Sequence, residues 1–216
     1  MLVILTLTGM VSFELARITC AMGAEAPVEG WKVESNSGNV ALYSRLRPNS
    51  PIKEFKAITS FDANTRVVHN VLDDVESYPT FMPYTAECRL LRREDASSIL
   101  TYQRLSPKIC SDRDYTLRIH QTSRPVTAGL VFLDKWELAN ELGPPEKPKV
   151  LRVKMCEGSW LLEPDGNDKT RATYSIYTDN GGTLPAFLAN TASTMGIRKI
   201  FAAVRKQVKL PKYSAN

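Results

Sequence analysis

Apolar residues recur with a period of two along most of the chain from Trp31 onward, and this alternation predicts β-strands. The first three segments are "GWKVES", "VALYSRL" and "IKEFKAITSF", and the turn "NSGN" separates the first two. In the third segment Phe55, Ala57, Thr59 and Phe61 share one face. We therefore expect three consecutive strands, each with one apolar face.

The spacing changes to three or four residues after the third segment, which predicts short helices. In "ANTRVVHNVLDD" the residues Val67, Val68, Val71 and Leu72 fall at helical spacing. The next stretch, "VESYPTFMPYT", contains two prolines, and proline lacks the backbone N–H that a continuing helix needs. We expect one helix here, followed by turns or a very short second helix.

Long alternating segments occupy the middle of the chain. The loop "ANELGPPEKPK" and the turn "PDGND" interrupt them. Six further strands are predicted, at about Glu87–Arg93, Ser97–Leu105, Arg113–Gln121, Leu130–Ala139, Val150–Leu162 and Thr170–Thr178. Short connections between most of these segments favour antiparallel pairing.

The chain closes with a helical pattern from about Leu184 to Leu210. Its apolar stripe must lie on an apolar surface, and one long curved antiparallel sheet around the helix is the economical packing. The predicted class is therefore α+β, with short helices after the third strand and space for a pocket between sheet and helix. The stripe consists of Leu184, Leu188, Thr191, Met195, Ile197, Phe201, Val204 and Val208.

The chain is mildly basic, with 216 residues and a formal net charge of +5. This length suits one domain that can bury a core or enclose a cavity. The last helix concentrates the charge, which indicates either a solvated face or attraction to an anionic membrane surface, at about 1 kcal/mol per basic group. Nucleic acid is not expected as a partner, since no aromatic residues are interleaved with the basic ones. The basic residues are Arg198, Lys199, Arg205, Lys206, Lys209 and Lys212.

Residues 1–24 are interpreted as a signal peptide. The apolar run "MLVILTLTGMVSF" is too short to span a bilayer, and "AMGAEA" supplies small residues for cleavage after Ala24. Against this, no basic residue precedes the run, and Glu14 and Arg17 interrupt the approach to the cleavage site. The predicted division is a signal peptide at 1–24, a leader at 25–30, one domain at 31–210 and a tail at 211–216.

Motifs for metal binding, cofactor binding or nucleophilic catalysis are absent from the sequence, and no cofactor is expected. No CxxC, GxSxG, HExxH or P-loop occurs. His69 and His120 lie far apart and are interpreted as surface or structural residues. Beyond the signal segment, Cys88, Cys110 and Cys156 are an odd set, so at least one thiol stays unpaired within the chain. The sequence contains 23 acidic residues, which allow many pairings, so the question of a catalytic carboxylate pair stays open.

Four segments in this order resemble START domains, the lipid-transfer modules of the larger helix-grip group. The segments are "VLDDVESYPTFMPYTAECRLL", "SDRDYTLR", "EGSWLLEP" and "KTRATYSIYTDNGGTLPAFLANT". The resemblance runs from Trp31 to Lys209 and is strongest to bacterial START proteins that carry a signal peptide and lie in the periplasm. It implies a helix-grip fold that binds, and transfers or sequesters, a lipid or other apolar small molecule. It also implies a periplasmic or secreted location, with the cytoplasm as the alternative.

Two other functions stay open beside the carrier. The helix-grip group also includes polyketide cyclases and aromatases, so the same cavity could serve an enzyme with Arg113 and a tyrosine as proton donors. A filled core with an exposed apolar patch would instead indicate an interaction module. The absence of catalytic motifs favours a carrier that is not an enzyme.

Arg113 is the candidate polar group of the cavity. In "RDYTLRI" it shares a face with Tyr115 and Leu117, and Glu157 is expected to face it across the sheet. One interpretation is a polar group that orients an apolar ligand. The other is a structural ion pair, or an arginine bound to loop carbonyls. Asp114 is interpreted as a structural acceptor for loop N–H groups.

Aromatic and aliphatic residues at matching alternate positions complete the predicted site, either as cavity lining or as solid core. Trp160 falls on the opposite alternation and is predicted to pack on the outer side of the sheet or at its end. The candidate cavity residues are Arg113, Tyr115, Leu117, Phe132, Trp136, Met155, Glu157, Tyr174, Ile176, Leu184, Phe187 and Leu188.

Gly181 and Gly182 precede the last helix. Paired glycines before a helix can form a phosphate cradle, but a cradle needs a βαβ unit with a Lys or a third Gly at fixed spacing. Here the glycines follow an antiparallel strand. They are interpreted as a joint that lets the chain reverse and lay the helix over the mouth of the sheet.

Overall fold

The computed structural model describes residues 30–107, 110–166, 168–179 and 186–214, except for the side chains of Ser37 and of residues 186–188. It confirms the predicted α+β class, with one sheet and a long helix near the end of the chain. The strands are β1 (Lys32–Ser37), β2 (Val40–Leu46), β3 (Lys53–Phe61), β4 (Thr85–Arg93), β5 (Ser98–Leu105), β6 (Asp112–Val126), β7 (Gly129–Leu138), β8 (Val150–Arg152), β9 (Met155–Pro164) and β10 (Thr170–Asp179). The α-helices are α1 (Thr65–Asp73), α2 (Tyr78–Phe81), α3 (Ala186–Gln207) and α4 (Pro211–Ser214).

The strands form a single sheet in the order β1-β2-β3-β10-β9-β7-β6-β5-β4, and β8 pairs with β6 off this path. All pairs along the path are antiparallel. The pairing of β3 with β10 joins the first three strands to the last ones, from Phe61–Thr170 to Phe55–Ile176. Because β10 lies inside the sheet and not at an edge, α3 follows in the chain from a strand that has neighbours on both sides.

The turn between β1 and β2 confirms the prediction made from "NSGN". Gly38 and Asn39 have φ values of 65° and 59°. Positive φ at both central positions is typical of a type I′ hairpin turn, and Gly and Asn are the residues that tolerate it.

The predicted single strand Val150–Leu162 is wrong, because the structure divides it into β8 and β9. β8 pairs in parallel with the start of β6, whereas β9 pairs with β7 and β10. The irregular backbone at Val153 and Lys154 shifts the alternation by one position, so that Val153 and Cys156 are both buried in one cluster. A shift of one residue moves every later side chain to the other face.

The main core lies between the sheet and helices α1 and α3. The ring of Phe201 meets three aromatic rings of the sheet, with centroids 6.0 Å from Phe61, 5.4 Å from Trp160 and 6.2 Å from Tyr174. Such tilted and edge-to-face contacts stabilise the packing beyond the apolar area they bury. Among the described side chains of α3, those of Ile197, Phe201 and Val204 are buried, and so is Val208 directly after the helix.

Residues 211–214, predicted as part of a tail, form α4 and pack on α1. Tyr213 is buried, its carbonyl accepts from Asn70 Nδ2 at 3.0 Å, and its hydroxyl donates to Asp74 at 2.9 Å. Lys212 adds an ion pair with Asp74 at 2.9 Å. A helix of one turn has no apolar period for the sequence pattern to reveal.

Candidate functional site

One side of the sheet faces α1 and α3 and is called the inner face; the opposite side is the outer face. A row of residues crosses the inner face through the cross-strand pairs Ile119–Trp136, Trp136–Gly158 and Gly158–Ile176. Gly158 makes this row possible, because a Cβ there would lie 2.4 Å from Cζ2 of Trp136. The indole therefore lies directly against the strand.

The apolar residues of the inner face form two clusters that differ in how they are covered. The larger cluster contains the buried residues of α3 and α1. The smaller cluster is built on Leu117, Val153 and Cys156, and the side chains described for it include none from α3. Five apolar residues around the smaller cluster are only partly buried: Tyr115, Ile119, Trp136, Leu138 and Ile176.

Tyr115 shows that this partly covered region lies deep in the molecule. Burial raises the pKa of the Tyr115 hydroxyl well above its usual value, yet the side chain keeps some accessible surface. Its hydroxyl donates to Oε1 of Gln103, a buried residue of β5, at 3.1 Å. Burial raises the pKa of Tyr174 in the same way.

The structure brings most of the predicted cavity residues in β6, β7 and β10 to the inner face. Phe132 stacks on His69 of α1, with ring centroids 4.2 Å apart, and Trp136 lies 5.8 Å from Tyr174. The predicted residues found on this face are Arg113, Tyr115, Leu117, Phe132, Trp136, Tyr174 and Ile176.

The prediction for β9 is wrong by one position. Trp160, predicted for the outer side, is buried in the main core. Met155 and Glu157, predicted to line the cavity, lie on the outer face, where Met155 is 40% exposed. The cause is the break before β9, which shifts the alternation that the sequence pattern extended from Leu151.

Arg113 and Glu157 therefore do not face each other as predicted. The Arg113 guanidinium is buried and donates to the Ser111 carbonyl and to Cys110 Sγ. This matches the interpretation of an arginine bound to a loop. Glu157 pairs instead with Arg47 at 2.5 Å on the outer face.

Asp114 accepts structural hydrogen bonds, but they come from side chains and not from the predicted loop N–H groups. It is fully buried, accepts from Arg152 Nε at 2.7 Å and from the Tyr102 hydroxyl at 3.1 Å. This buried ion pair ties β8 to β6 beside the site.

The remaining predicted positions cannot be placed against the site. Gly181, Gly182 and Leu184 lie outside the described residues, as do the side chains of Phe187 and Leu188. The joint at the glycines and the three apolar contacts stay predictions.

The alternation put Ile119 and Leu138 on the same faces as the candidates, but the list of cavity residues left them out, and sequence reasoning missed the pair formed by His69 and Asp134. His69 Nε2 lies 3.5 Å from Asp134 Oδ1, and the same His69 ring stacks on Phe132. The alternation of β7 carried a usable signal, since Asp134 shares the parity of Phe132, Trp136 and Leu138. The link to His69 carried none, because α1 and β7 are far apart in the chain.

The outer face has a depression of about 550 Å³ that differs in character from the inner face. Charged groups line it, among them Arg47, Glu157, Lys135 and Glu137. Paired charges of both signs do not suit an apolar ligand. Within the described residues, no group of three or more His, Cys, Asp or Glu could hold a metal ion, and no helix is long and apolar enough to cross a membrane.

Comparison with known proteins decides which family this architecture represents. Residues 62–205 match the family described as polyketide cyclase/dehydrase and lipid transport. The chain belongs to this family. Its resemblance to START domains is also confirmed by solved structures of StAR-related lipid transfer proteins.

Among solved structures, this START domain is similar to a STAR-related lipid transfer protein of Xanthomonas axonopodis. The TM-score is 0.74 at 25% identity, covering 84% of this chain and all of that one (100%). Human StAR-related lipid transfer protein 5 shares the fold with a TM-score of 0.72 at 16% identity, covering 85% of this chain and 88% of that one. These likenesses confirm the helix-grip prediction.

Among curated proteins, the START domain is 28% identical to an uncharacterised protein of Pseudomonas aeruginosa over 82% of this chain and 86% of that protein. It is 23% identical to phosphatidylcholine transfer protein of mouse, over 86% of this chain and 88% of that protein.

Proposed function

We propose that the protein binds one lipid or other apolar small molecule between the inner face and α3, and transfers or sequesters it. The observation that carries this proposal is the smaller inner-face cluster, because the apolar residues around it are only partly buried and no described side chain of α3 covers it. Apolar surface of this kind is unfavourable next to water. An apolar ligand would complete the packing there.

The energetics favour such a ligand without requiring many polar contacts. Burial of ten methylene groups contributes on the order of 8 kcal/mol before ordering costs. Tyr115 and Gln103 supply polar groups at the edge of the smaller cluster. Most small-molecule sites combine an apolar lining with a few polar groups in this way.

The relatives support a carrier and leave the type of lipid open. Their names assign lipid transfer to the solved neighbours and phosphatidylcholine transfer to the mouse relative. The family description also includes polyketide cyclases and dehydrases, but the sequence contains no motif of nucleophilic catalysis, and we therefore propose binding without turnover. A ligand recovered chemically unchanged after prolonged incubation is the expected result, and a converted product would favour the enzyme.

A pair of tryptophan variants on β7 tests the proposed site. Leu138 is partly buried on the inner face, and Leu133 lies on the outer face of the same strand. Leu138→Trp fills the space of the smaller cluster and should lower the affinity for a fluorescent hydrocarbon probe about tenfold, since it removes room for several methylene groups. Fluorescence titration gives the affinity.

The matched control is Leu133→Trp, which adds the same side chain to the opposite face and should bind the probe like the wild type. Equal affinity of the wild type and both variants would contradict the proposed site. Thermal denaturation of each protein confirms that both variants fold.

We also propose that the basic face of the last helices contacts an anionic membrane surface during loading. Several of its basic residues have intramolecular partners, including Lys199 with Tyr84 and Lys212 with Asp74. Lys206 and Lys209 are exposed and have no ion pair among the described residues. Replacing both with Glu should weaken sedimentation with anionic vesicles by about thirtyfold or more, at about 1 kcal/mol for each lost attraction. Sedimentation that does not respond to the replacements or to salt would reject this contact.

The periplasmic or secreted location stays a prediction, because residues 1–24 lie outside the described residues. Retention of the segment in protein recovered from cells would favour the cytoplasm.

A further inference from the structure

Asp134 is a buried carboxylate on an otherwise aromatic stretch of the inner face. Its neighbours at alternate positions of β7 are Phe132 and Trp136, and its cross-strand partner on β9 is Trp160. The residue is only 5% exposed. A buried carboxylate costs free energy unless donors satisfy its oxygens.

The oxygen Oδ1 of Asp134 has no hydrogen-bond partner among the described residues. The nearest cationic candidate is His69, whose Nε2 lies 3.5 Å away, beyond good hydrogen-bond geometry. The stack of the His69 ring on Phe132, at 4.2 Å and 19° between planes, holds that ring in place. His69 therefore lies within ion-pair distance of Oδ1 when protonated, but it makes no hydrogen bond to it.

Other donors near Asp134 already have different acceptors. Gln121, its cross-strand partner on β6, donates from Nε2 to Asp73 Oδ1 at 2.8 Å. The Tyr78 hydroxyl, whose pKa is raised by burial and also by the charge of Asp134, donates to the Leu72 carbonyl at 2.5 Å. The missing donor must come from outside this set of side chains.

The partly covered apolar region reaches the position of Asp134. Trp136, two residues along β7, is only partly buried, and so is Ile119, which pairs with it. Tyr78, which is close enough to feel the charge of Asp134, is also only partly buried. A ligand packed on Trp136 and Ile119 would lie two positions along β7 from Asp134, on the same face.

We propose that Asp134 binds a hydrogen-bond donor, a hydroxyl or an ammonium group, at the inner end of the bound apolar molecule. This proposal rests on the proposed function. The ligand class is an apolar alcohol or amine that enters with its donor end first. An anionic end, such as a fatty-acid carboxylate, is excluded from this position because two like charges repel strongly in a low-dielectric interior.

Competition between ligands with matched chains tests the proposal. Dodecanol, dodecylamine, methyl dodecyl ether and dodecanoate are each titrated against protein loaded with diphenylhexatriene, a fluorescent hydrocarbon without a donor. The alcohol and the amine should displace the probe at concentrations about tenfold lower than the ether, as expected for a hydrogen bond to a charged group. Dodecanoate should be the weakest competitor.

Variants of Asp134 separate its role from general apolar binding. Asp134→Ala removes the acceptor and should bring the alcohol, the amine and the ether to within about twofold of one another. Asp134→Asn keeps an oxygen acceptor without the charge, so the preference for the amine should fall more than the preference for the alcohol. If the alanine variant does not fold, the asparagine variant tests the proposal by this difference. The matched control is Thr116→Val on the outer face, which removes a second buried oxygen without a hydrogen-bond partner among the described residues and should keep the wild-type order of the four ligands.

Two outcomes distinguish this proposal from the proposed function. If the wild type binds the probe and all chains compete equally, or if the preference survives in Asp134→Ala, the donor proposal is overturned and apolar binding stands. If the wild type binds neither the probe nor any chain, the proposed function itself is overturned, and the donor proposal with it.

Discussion

At the scale of single residues, the inner face holds ionisable groups that stay neutral because they are buried. Burial raises the pKa of the Cys88 and Cys156 thiols to about 12, from an ordinary value of 9.0. Both are free thiols. A thiol with a raised pKa behaves as a small apolar side chain, and it adds a pH dependence that belongs to the folded state alone.

This pH dependence gives a prediction for Cys156. Above about pH 9 the unfolded chain loses the thiol proton and the folded chain keeps it, so the free energy of unfolding falls as pH rises, by up to about 1.4 kcal/mol per pH unit per thiol. Urea denaturation at about pH 8 and about pH 10.5 should therefore show a smaller loss of stability for Cys156→Ala than for the wild type. Equal losses in the two proteins would contradict the burial of this thiol.

The predictability of the site differed from residue to residue for a physical reason. Alternation within an unbroken strand depends on local geometry, so Tyr115 and Leu117 on β6, and Trp136 on β7, were assigned to the correct face. Met155 and Glu157 were assigned to the wrong face because the break before β9 depends on β8 pairing with a distant strand. Local pattern contains no information about that pairing.

At the scale of elements, the two halves of α3 differ in packing. From Ile197 onward the apolar stripe is buried in the core, whereas Met195 is 53% exposed. Before that point the helix is rich in small polar residues, and Ser193 and Thr194 bond back to the carbonyls four residues earlier. Such back-bonds slightly destabilise helices and bend them. Gly196 stands at the boundary between the halves.

Gly196 is predicted to weaken α3 without serving its packing. A Cβ added there meets no atom within 4 Å, and glycine inside a helix costs about 0.5–1 kcal/mol relative to alanine. Gly196→Ala should therefore raise the free energy of unfolding by about that amount in chemical denaturation. It should also slow release of a bound hydrocarbon probe, if the first half of α3 moves to let ligand out. Gly158→Ala is the contrasting variant, and it should destabilise the protein because its Cβ would clash with Trp136. A loss of stability in Gly196→Ala would contradict this account of the helix.

At the scale of the whole molecule, the chain order of strands and helices was predictable, but their arrangement in space was not. Period and turn residues located the strands within a few positions, because both are local properties of the chain. The pairing of β3 with β10 and the packing of α4 on α1 join segments more than 100 residues apart. The apolar stripe of the last helix predicted that the helix packs on the sheet, and the contacts of Phe201 place it there.

The central claim is that the space between the inner face and α3 holds an apolar molecule. Native mass spectrometry of the purified full chain, followed by solvent extraction and lipid analysis, tests it most directly. We expect an adduct of one lipid-sized molecule per chain, which is extracted unchanged and is reduced in Leu138→Trp but retained in Leu133→Trp. Protein that carries no such molecule and takes none up from vesicles would contradict the account.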